Sequence, residues 1–258
     1  MFPRLFTIGN FTLHTYGALV ATGVAVGVWL SQRLGRKRGL DPGTIIDLGI
    51  WMCVAGVLGS KLLLFLEDPH DFFSIATLRA AGVFYGGFLA ALGTFLWFVH
   101  RRHLPLLGTA DCYVPGLALG HAIGRLGCFA AGCCWGSVCP YPWAVTFTDP
   151  YAHDIVGVPL HTPLHPAQLY EAAALLLISG ILLMIFRRSR FAGQTFAAYL
   201  MLYGAARFLL EYTRDLSDDP VFFHLFSLSQ IVALCLIPAG AAIWILNRKT
   251  PQRSTAHA

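Results

Sequence analysis

The sequence predicts an all-α integral membrane protein with seven transmembrane helices, N-terminus outside and C-terminus cytoplasmic. Three observations carry this. Of the 258 residues, 56% are hydrophobic and only 12% charged, against about 25% charged in soluble domains. The apolar residues gather into runs near the roughly 20 residues that a helix needs to cross a bilayer. The basic residues cluster in alternate loops between those runs. The net charge of +5 would suit nucleic acid as a partner, but this distribution excludes it and marks the clusters as orientation signals. The start, MFPRLFTIGNF, lacks the basic region, apolar region and small-residue cleavage site of a removed signal. The first run reads as a retained helix.

In chain order the expected spans are 14–32, 45–66, 80–100, 109–131, 168–186, 193–213 and 225–246. The runs are too long for barrel strands, and in lipid the backbone must satisfy its own hydrogen bonds, so helices are expected. Arg33, Arg36, Lys37 and Arg38 follow span 1, and Arg101 and Arg102 follow span 3. Arg187, Arg188 and Arg190 follow span 5, and Arg248, Lys249 and Arg253 follow span 7. The opposite side carries Glu67, Asp68, Asp71, Asp149, Asp154, Asp215, Asp218 and Asp219. The positive-inside rule sets the orientation. The chain reads as one transmembrane domain, 1–258, with an outer loop at 132–167 too long to be a mere connector.

Basic residues within or at the end of the apolar runs need another account. Lys61 and Arg207 lie inside runs, and Arg125 closes one. Intramembrane charge is costly unless paired or hydrated, so it signals function; snorkelling or a structural ion pair is the plain alternative. In YGAARFLLEYTR (203–214), Tyr203, Arg207, Glu211 and Arg214 are spaced to line one helix face. Arginine makes planar bidentate bonds to phosphate, so a phospholipid headgroup is the ligand suggested for Arg125 and Arg207. Glu211 is the one acid evident near them, and the two guanidiniums are expected to converge on one cavity and share one phosphate. LHTYG (13–17) supplies His14, Tyr16 and Gly17; VFYGGFLAA (83–91) supplies Tyr85, Gly86 and Gly87; HPAQLYE (165–171) supplies His165, Gln168 and a glutamate. A Tyr or His near a helix end also serves as an interfacial anchor, and glycines let helices approach closely.

Together with GRLGCFAAGCCWG (124–136) and FSLSQI (226–231), these fragments resemble the prolipoprotein diacylglyceryl transferase family of bacterial inner-membrane enzymes. The resemblance runs over nearly the whole chain. It implies seven spans, no cofactor, and transfer of the diacylglyceryl group of phosphatidylglycerol to the lipobox cysteine of a preprolipoprotein signal peptide. A thioether forms and glycerol phosphate leaves. Arg125 matches the arginine of the family signature and Arg207 the second essential arginine. Tyr16, Tyr203 and Glu211 match further functional positions. Candidate catalytic residues are thus Arg125, Arg207, Glu211, Tyr85 and His14. Candidate substrate-binding residues are Arg125, Tyr16, Tyr203, Gly86, Gly87, His165 and Gln168, with no metal ligand assigned. His14, His121, Tyr85 and Glu211 are the candidate bases. The chain departs from the signature: Cys128 and Ala131 replace two asparagines, Cys133 replaces a glutamate, and Tyr85 replaces a histidine. A different acceptor for the same donor therefore stays open.

Cys128, Cys133, Cys134 and Cys139 admit four readings. Their spacing fits zinc poorly, since pairs two to four apart are usual. A disulfide suits an oxidising outer face. Buried cysteine also packs as a small hydrophobe. A reactive thiol would need its charge favoured by a neighbour such as Arg125. A membrane thiol–disulfide oxidoreductase rests on these cysteines alone and leaves the arginines unexplained. Because two of the positions hold non-nucleophiles in the family, no single one of the four cysteines is expected to be required for transfer.

Overall fold

A computed structural model describes residues 2–8, 11–67, 84–214, 221–222 and 226–248. Asp68, Asp71, Arg79, Asp215, Asp218, Asp219, Lys249 and Arg253 lie outside these, as do the first residues of the third and seventh expected spans. The long helices are α1 (Thr15–Lys37), α2 (Pro42–Glu67), α3 (Phe84–Arg101), α4 (Leu106–Ala131), α6 (Ala167–Arg188), α7 (Gln194–Leu210) and α8 (Leu228–Asn247). A short α5 (Pro150–Val156) lies between α4 and α6. Among the described residues, five of these helices are long and apolar enough to cross a membrane: α1, α2, α4, α6 and α8. The other two, α3 and α7, have 18 and 17 residues, near the shortest length that can span.

Two compact units divide the chain. Of the described residues, one comprises those within Met1–Leu30 and Asp111–Arg253; the other holds those within Ser31–Ala110. In the first, a hairpin of β1 (Arg4–Ile8) and β2 (Phe11–His14) leads into α1. His14 therefore ends a strand instead of opening a helix. The Thr15 N–H donates to Pro3 O at 3.1 Å, fastening the junction. The α1 and α4 backbones meet at glycines. A Cβ built on Gly23 would sit 2.5 Å from Gly120 O, so no other residue fits without parting the helices. Val114, Ala118, Ala122, Leu175, Ile178, Leu182 and Ala198 form the core shared by α4, α6 and α7. Buried Asp111 fixes the entry of α7. Its carboxylate accepts from the N–H of Gly193 (2.7 Å) and Phe196 (2.8 Å), which satisfies orphan donors of the helix N-terminus.

Span 6 was expected to be one helix through residue 213. Instead α7 ends at Leu210, and Glu211–Thr213 tighten into a 3-10 turn. Arg214 is extended and bridges to Gly136. The four-residue ladder therefore holds for Tyr203, Arg207 and Glu211, but Arg214 leaves it.

The stretch 132–167 has structure of its own. β3 (Val145–Thr146) pairs antiparallel with β4 (Pro163–Leu164). Asp149 caps α5, Pro150 occupies its first turn, and Gly157 closes it in the left-handed region. Phe147, Ala152, Val158 and Leu164 form a small core beneath it. Sequence periodicity missed these elements because each is too short to show a period.

The second unit holds a glycine seam of its own. A Cβ on Gly86 would meet Gly59 O at 2.5 Å, and one on Gly87 would meet Gly56 O at 2.9 Å. The YGG stretch thus joins α3 to α2. The entry of α2 follows its local sequence: Asp41 accepts from the Thr44 N–H (2.7 Å) and hydroxyl (2.8 Å) ahead of Pro42.

Candidate functional site

The first unit gathers two arginine–glutamate pairs, buried glutamate with half-buried arginine, from α4, α6, α7 and the 3-10 turn that ends α7. On α4, His121 and Arg125 are one turn apart and share a face. The Arg125 Nε–H donates to His121 Nε2 at 3.3 Å. The first turn of α6 brings Glu171, whose Oε1 lies 3.0 Å from Arg125 Nη2 and 3.5 Å from His121 Nε2. This oxygen accepts no well-aligned hydrogen bond, so charge and burial hold the pair more than bond geometry does. The sequence reading had Glu211 as the one acid near the arginines. Glu171 corrects that: it stood in HPAQLYE, but only folding carries it to Arg125.

The second pair is fastened at both ends. Arg207 Nη1 donates to Glu211 Oε2 at 2.5 Å, and Nη2 donates to Ser229 Oγ at 2.8 Å. The Ser227 hydroxyl donates to the other Glu211 oxygen at 2.5 Å. Ser227 is also the N-cap of α8, in a capping box with Gln230. The cap that starts α8 therefore also fixes the glutamate.

His121 and Tyr203 stand between the pairs, with ring centroids 6.0 Å apart. Both guanidiniums are within electrostatic reach of each of these rings. Tyr199 stacks on Tyr203 with centroids 5.5 Å apart. Tyr16 joins from α1: its ring would lie 3.4 Å from a Cβ on Gly127, and Arg125 acts on it electrostatically.

The remaining sequence candidates are placed differently. The buried Gln168 donates from Nε2 to Cys133 O at 2.7 Å, while its Oε1 has no hydrogen-bond partner. His165 takes part mainly through its backbone, exchanging bonds with the chain after α4: Gly136 N–H to His165 O (3.0 Å) and His165 N–H to Ser137 O (2.9 Å). Its Nδ1 lies 3.3 Å from Tyr170 Oη. His14 Nε2 lies 2.8 Å from Tyr151 Oη, and the two rings stack. Tyr85, Gly86 and Gly87 belong to the second unit, where the glycines form the α2–α3 seam and Tyr85 is exposed.

No disulfide joins the described cysteines; all seven are free thiols. The backbone keeps Cys139 apart from the other three. The Cys139 N–H bonds to Pro163 O at 2.9 Å, which draws that residue to the β4 edge. Cys133 and Cys134 turn back onto Cys128 instead, and the three sulfurs lie within 4.8 Å of one another.

A family model described as prolipoprotein diacylglyceryl transferase matches residues 3–246. Curated relatives called phosphatidylglycerol–prolipoprotein diacylglyceryl transferase align along almost the full chain. The one from Clostridium tetani is 30% identical over 96% of this chain and 98% of its own length. That from Finegoldia magna is 30% identical over 95% of each. That from Erwinia tasmaniensis is 31% identical over 97% of this chain and 94% of its own.

Proposed function

Because this chain belongs to the prolipoprotein diacylglyceryl transferase family, we propose that it moves the diacylglyceryl group of phosphatidylglycerol onto the lipobox cysteine thiol of preprolipoproteins. A thioether forms and glycerol phosphate leaves. The observation that carries the reading is the convergence of Arg125 and Arg207 around His121 and Tyr203. The thiolate attacks the glycerol carbon that bears the phosphate. Negative charge builds on the departing phosphate, and two positioned guanidiniums there stabilise the transition state. Each guanidinium has five N–H donors, so a glutamate on one edge leaves others for phosphate. Glu171 and Glu211 orient the arginines and keep their charge compensated before substrate arrives.

Tyr16 and Tyr203 line the donor site. Gly86 and Gly87 hold α3 against α2 in the other unit, where Tyr85 is exposed. Gln168 and His165 hold the 132–139 strap beside Arg125. Proton removal from the acceptor falls to a histidine, His14 or His121, because both Glu211 oxygens are engaged. The protein crosses the bacterial inner membrane seven times as one transferase domain, N-terminus outside, which puts residues 132–167 on the outer face. The basic ends of α1, α3 and α6 support this orientation.

The test is chemical. Purified protein is incubated with phosphatidylglycerol vesicles and a lipobox peptide, and the peptide is weighed by mass spectrometry. A diacylglyceryl increment on the cysteine is expected. A folded preparation that adds nothing to the cysteine, or that modifies a cysteine-free control peptide equally well, overturns the reading.

A further inference from the structure

The turn after α4 does something the transfer reaction does not call for. Gly132 is left-handed, at φ +82°. With it, the Gly132 N–H and Cys133 N–H both reach back to Cys128 O, at 2.9 and 3.1 Å. The bond from Cys133 is the six-to-one closure of a Schellman motif, which brings the residue after the glycine against the residue at the start of the last turn. Here those two residues are Cys133 and Cys128. Such a contact is ordinarily apolar and needs only two partners.

A third cysteine is added at a backbone position that discourages it. Cys134 has φ +61°, a region seldom used by residues other than glycine, asparagine or aspartate. The next stretch cannot relax it freely. Gly136 is pinned between Thr213 O and His165, which a Cβ would approach to 2.3 and 2.7 Å. Gln168 grips Cys133 O from the other side. The result is three thiols within 4.8 Å of one another, Cys128 buried and the other two half-buried. Their separation leaves a central point within about 2.8 Å of all three sulfurs, a few tenths of an ångström beyond the ~2.3 Å of a zinc–sulfur bond.

We propose that Cys128, Cys133 and Cys134 form a binding site for one thiophilic closed-shell cation, zinc(II) or copper(I). Thiolates select these ions over harder ones. Three thiolates overcompensate either ion, and the surroundings offset the excess: Arg125 and Arg214 both act electrostatically on Cys134, and Arg125 acts on Cys128. Half-burial leaves a route for the ion and room for a fourth ligand on zinc. The spacing had made zinc look a poor fit because the usual ligand pairs are absent; the helix-ending turn supplies the closeness that a two-residue spacer would otherwise give. The cluster stands whether or not the chain transfers lipid.

Protein reduced under anaerobic conditions is titrated with Zn²⁺ alone and Cu⁺ alone against a chromogenic chelator. Cobalt(II) serves as a spectroscopic probe of thiolate ligation. One ion per chain is expected, with a thiolate-to-cobalt charge-transfer band. Cys128→Ser and Cys134→Gly should each weaken binding by at least ~100-fold, while Cys53→Ser and Cys235→Ser should not. Cys134→Gly removes the side chain and suits the left-handed backbone, so loss of the ion there is not loss of the fold. The proposal is overturned if neither ion binds, or if binding survives Cys134→Gly. It is equally overturned if the protein as isolated carries a bond between two of these sulfurs, which would make them a redox pair.

Discussion

The two arginine sites differ in how their partners are found. Arg207 and Glu211 stand four residues apart along one chain segment, so helical geometry alone makes them neighbours. Arg125 and Glu171 come from different helices and meet only when α6 packs on α4. The local pair is bonded at every end, to Ser229 and Ser227 as well as to itself. The long-range pair lies at 3.0 Å without an aligned hydrogen bond and shares its carboxylate with His121. Proximity along the chain thus coincides with the tighter geometry. The looser pair depends on tertiary packing and has more room to adjust when a phosphate arrives.

Four experiments can break or sharpen this comparison. The largest effect is expected from Glu211→Ala. It strands a half-buried guanidinium and a buried serine hydroxyl, and removing one partner of a fully buried ion pair costs about 3–5 kcal/mol, which is the upper bound here. Thermal unfolding in detergent should show the loss, and Glu171→Ala should cost visibly less. Equal losses would mean that alignment does not matter here. Next come Arg125→Lys and Arg207→Lys, which keep charge but lose the planar fork. Transfer should fall by about 10²–10³ in either, the loss typical of a missing charge-stabilising donor. The tighter pair predicts that Arg207→Lys also lowers thermal stability, whereas Arg125→Lys leaves it nearly unchanged; a lipobox-peptide assay and a melting curve on the same preparations decide.

A third experiment probes the strap at 132–139 that follows α4. Gly136→Ala drives a methyl into Thr213 O and His165, and overpacking of this kind costs about 1–3 kcal/mol. Limited proteolysis of residues 132–139 should quicken in it, and unchanged protection would show that the strap has slack. The smallest effect belongs to a wholly local device in the other unit. Asp41 is exposed, and its bonds from the Thr44 N–H and hydroxyl hold its carboxyl below the usual carboxylate range. Its folded pKa is depressed, so its contribution is present above the unfolded value of about 3.9 and fades as pH falls through the folded one. An Asp41→Asn melting curve should therefore diverge from the parent at neutral pH and converge with it in acid. Divergence that persists in acid would assign the difference to something other than charge.

Sequence by itself determined what depends on neighbours along the chain. Runs of apolar residues near twenty long specify helices in lipid, because no water is there to satisfy a bare backbone. Tyr203, Arg207 and Glu211 were readable as a stripe for the same periodic reason. So was the family, from GRLGCFAAGCCWG and the fragments around it. Glu171 was not readable as a partner, although it was in plain view, because four-residue arithmetic cannot connect α6 to α4. The end of α7 at Leu210 and the departure of Arg214 were not readable either: the strap through Gly136 captures Arg214, and that strap is held by His165 and Thr213 from distant parts of the chain. The cysteines show the division within a single motif. Glycine after the last helical turn foretells a Schellman closure, yet whether three sulfurs then meet, pair off or scatter depends on Gln168 and Gly136, and on Pro163 drawing Cys139 away. Local free energies set which segments are helical; only the tertiary contacts of those helices and their connecting loops decide which side chains become neighbours.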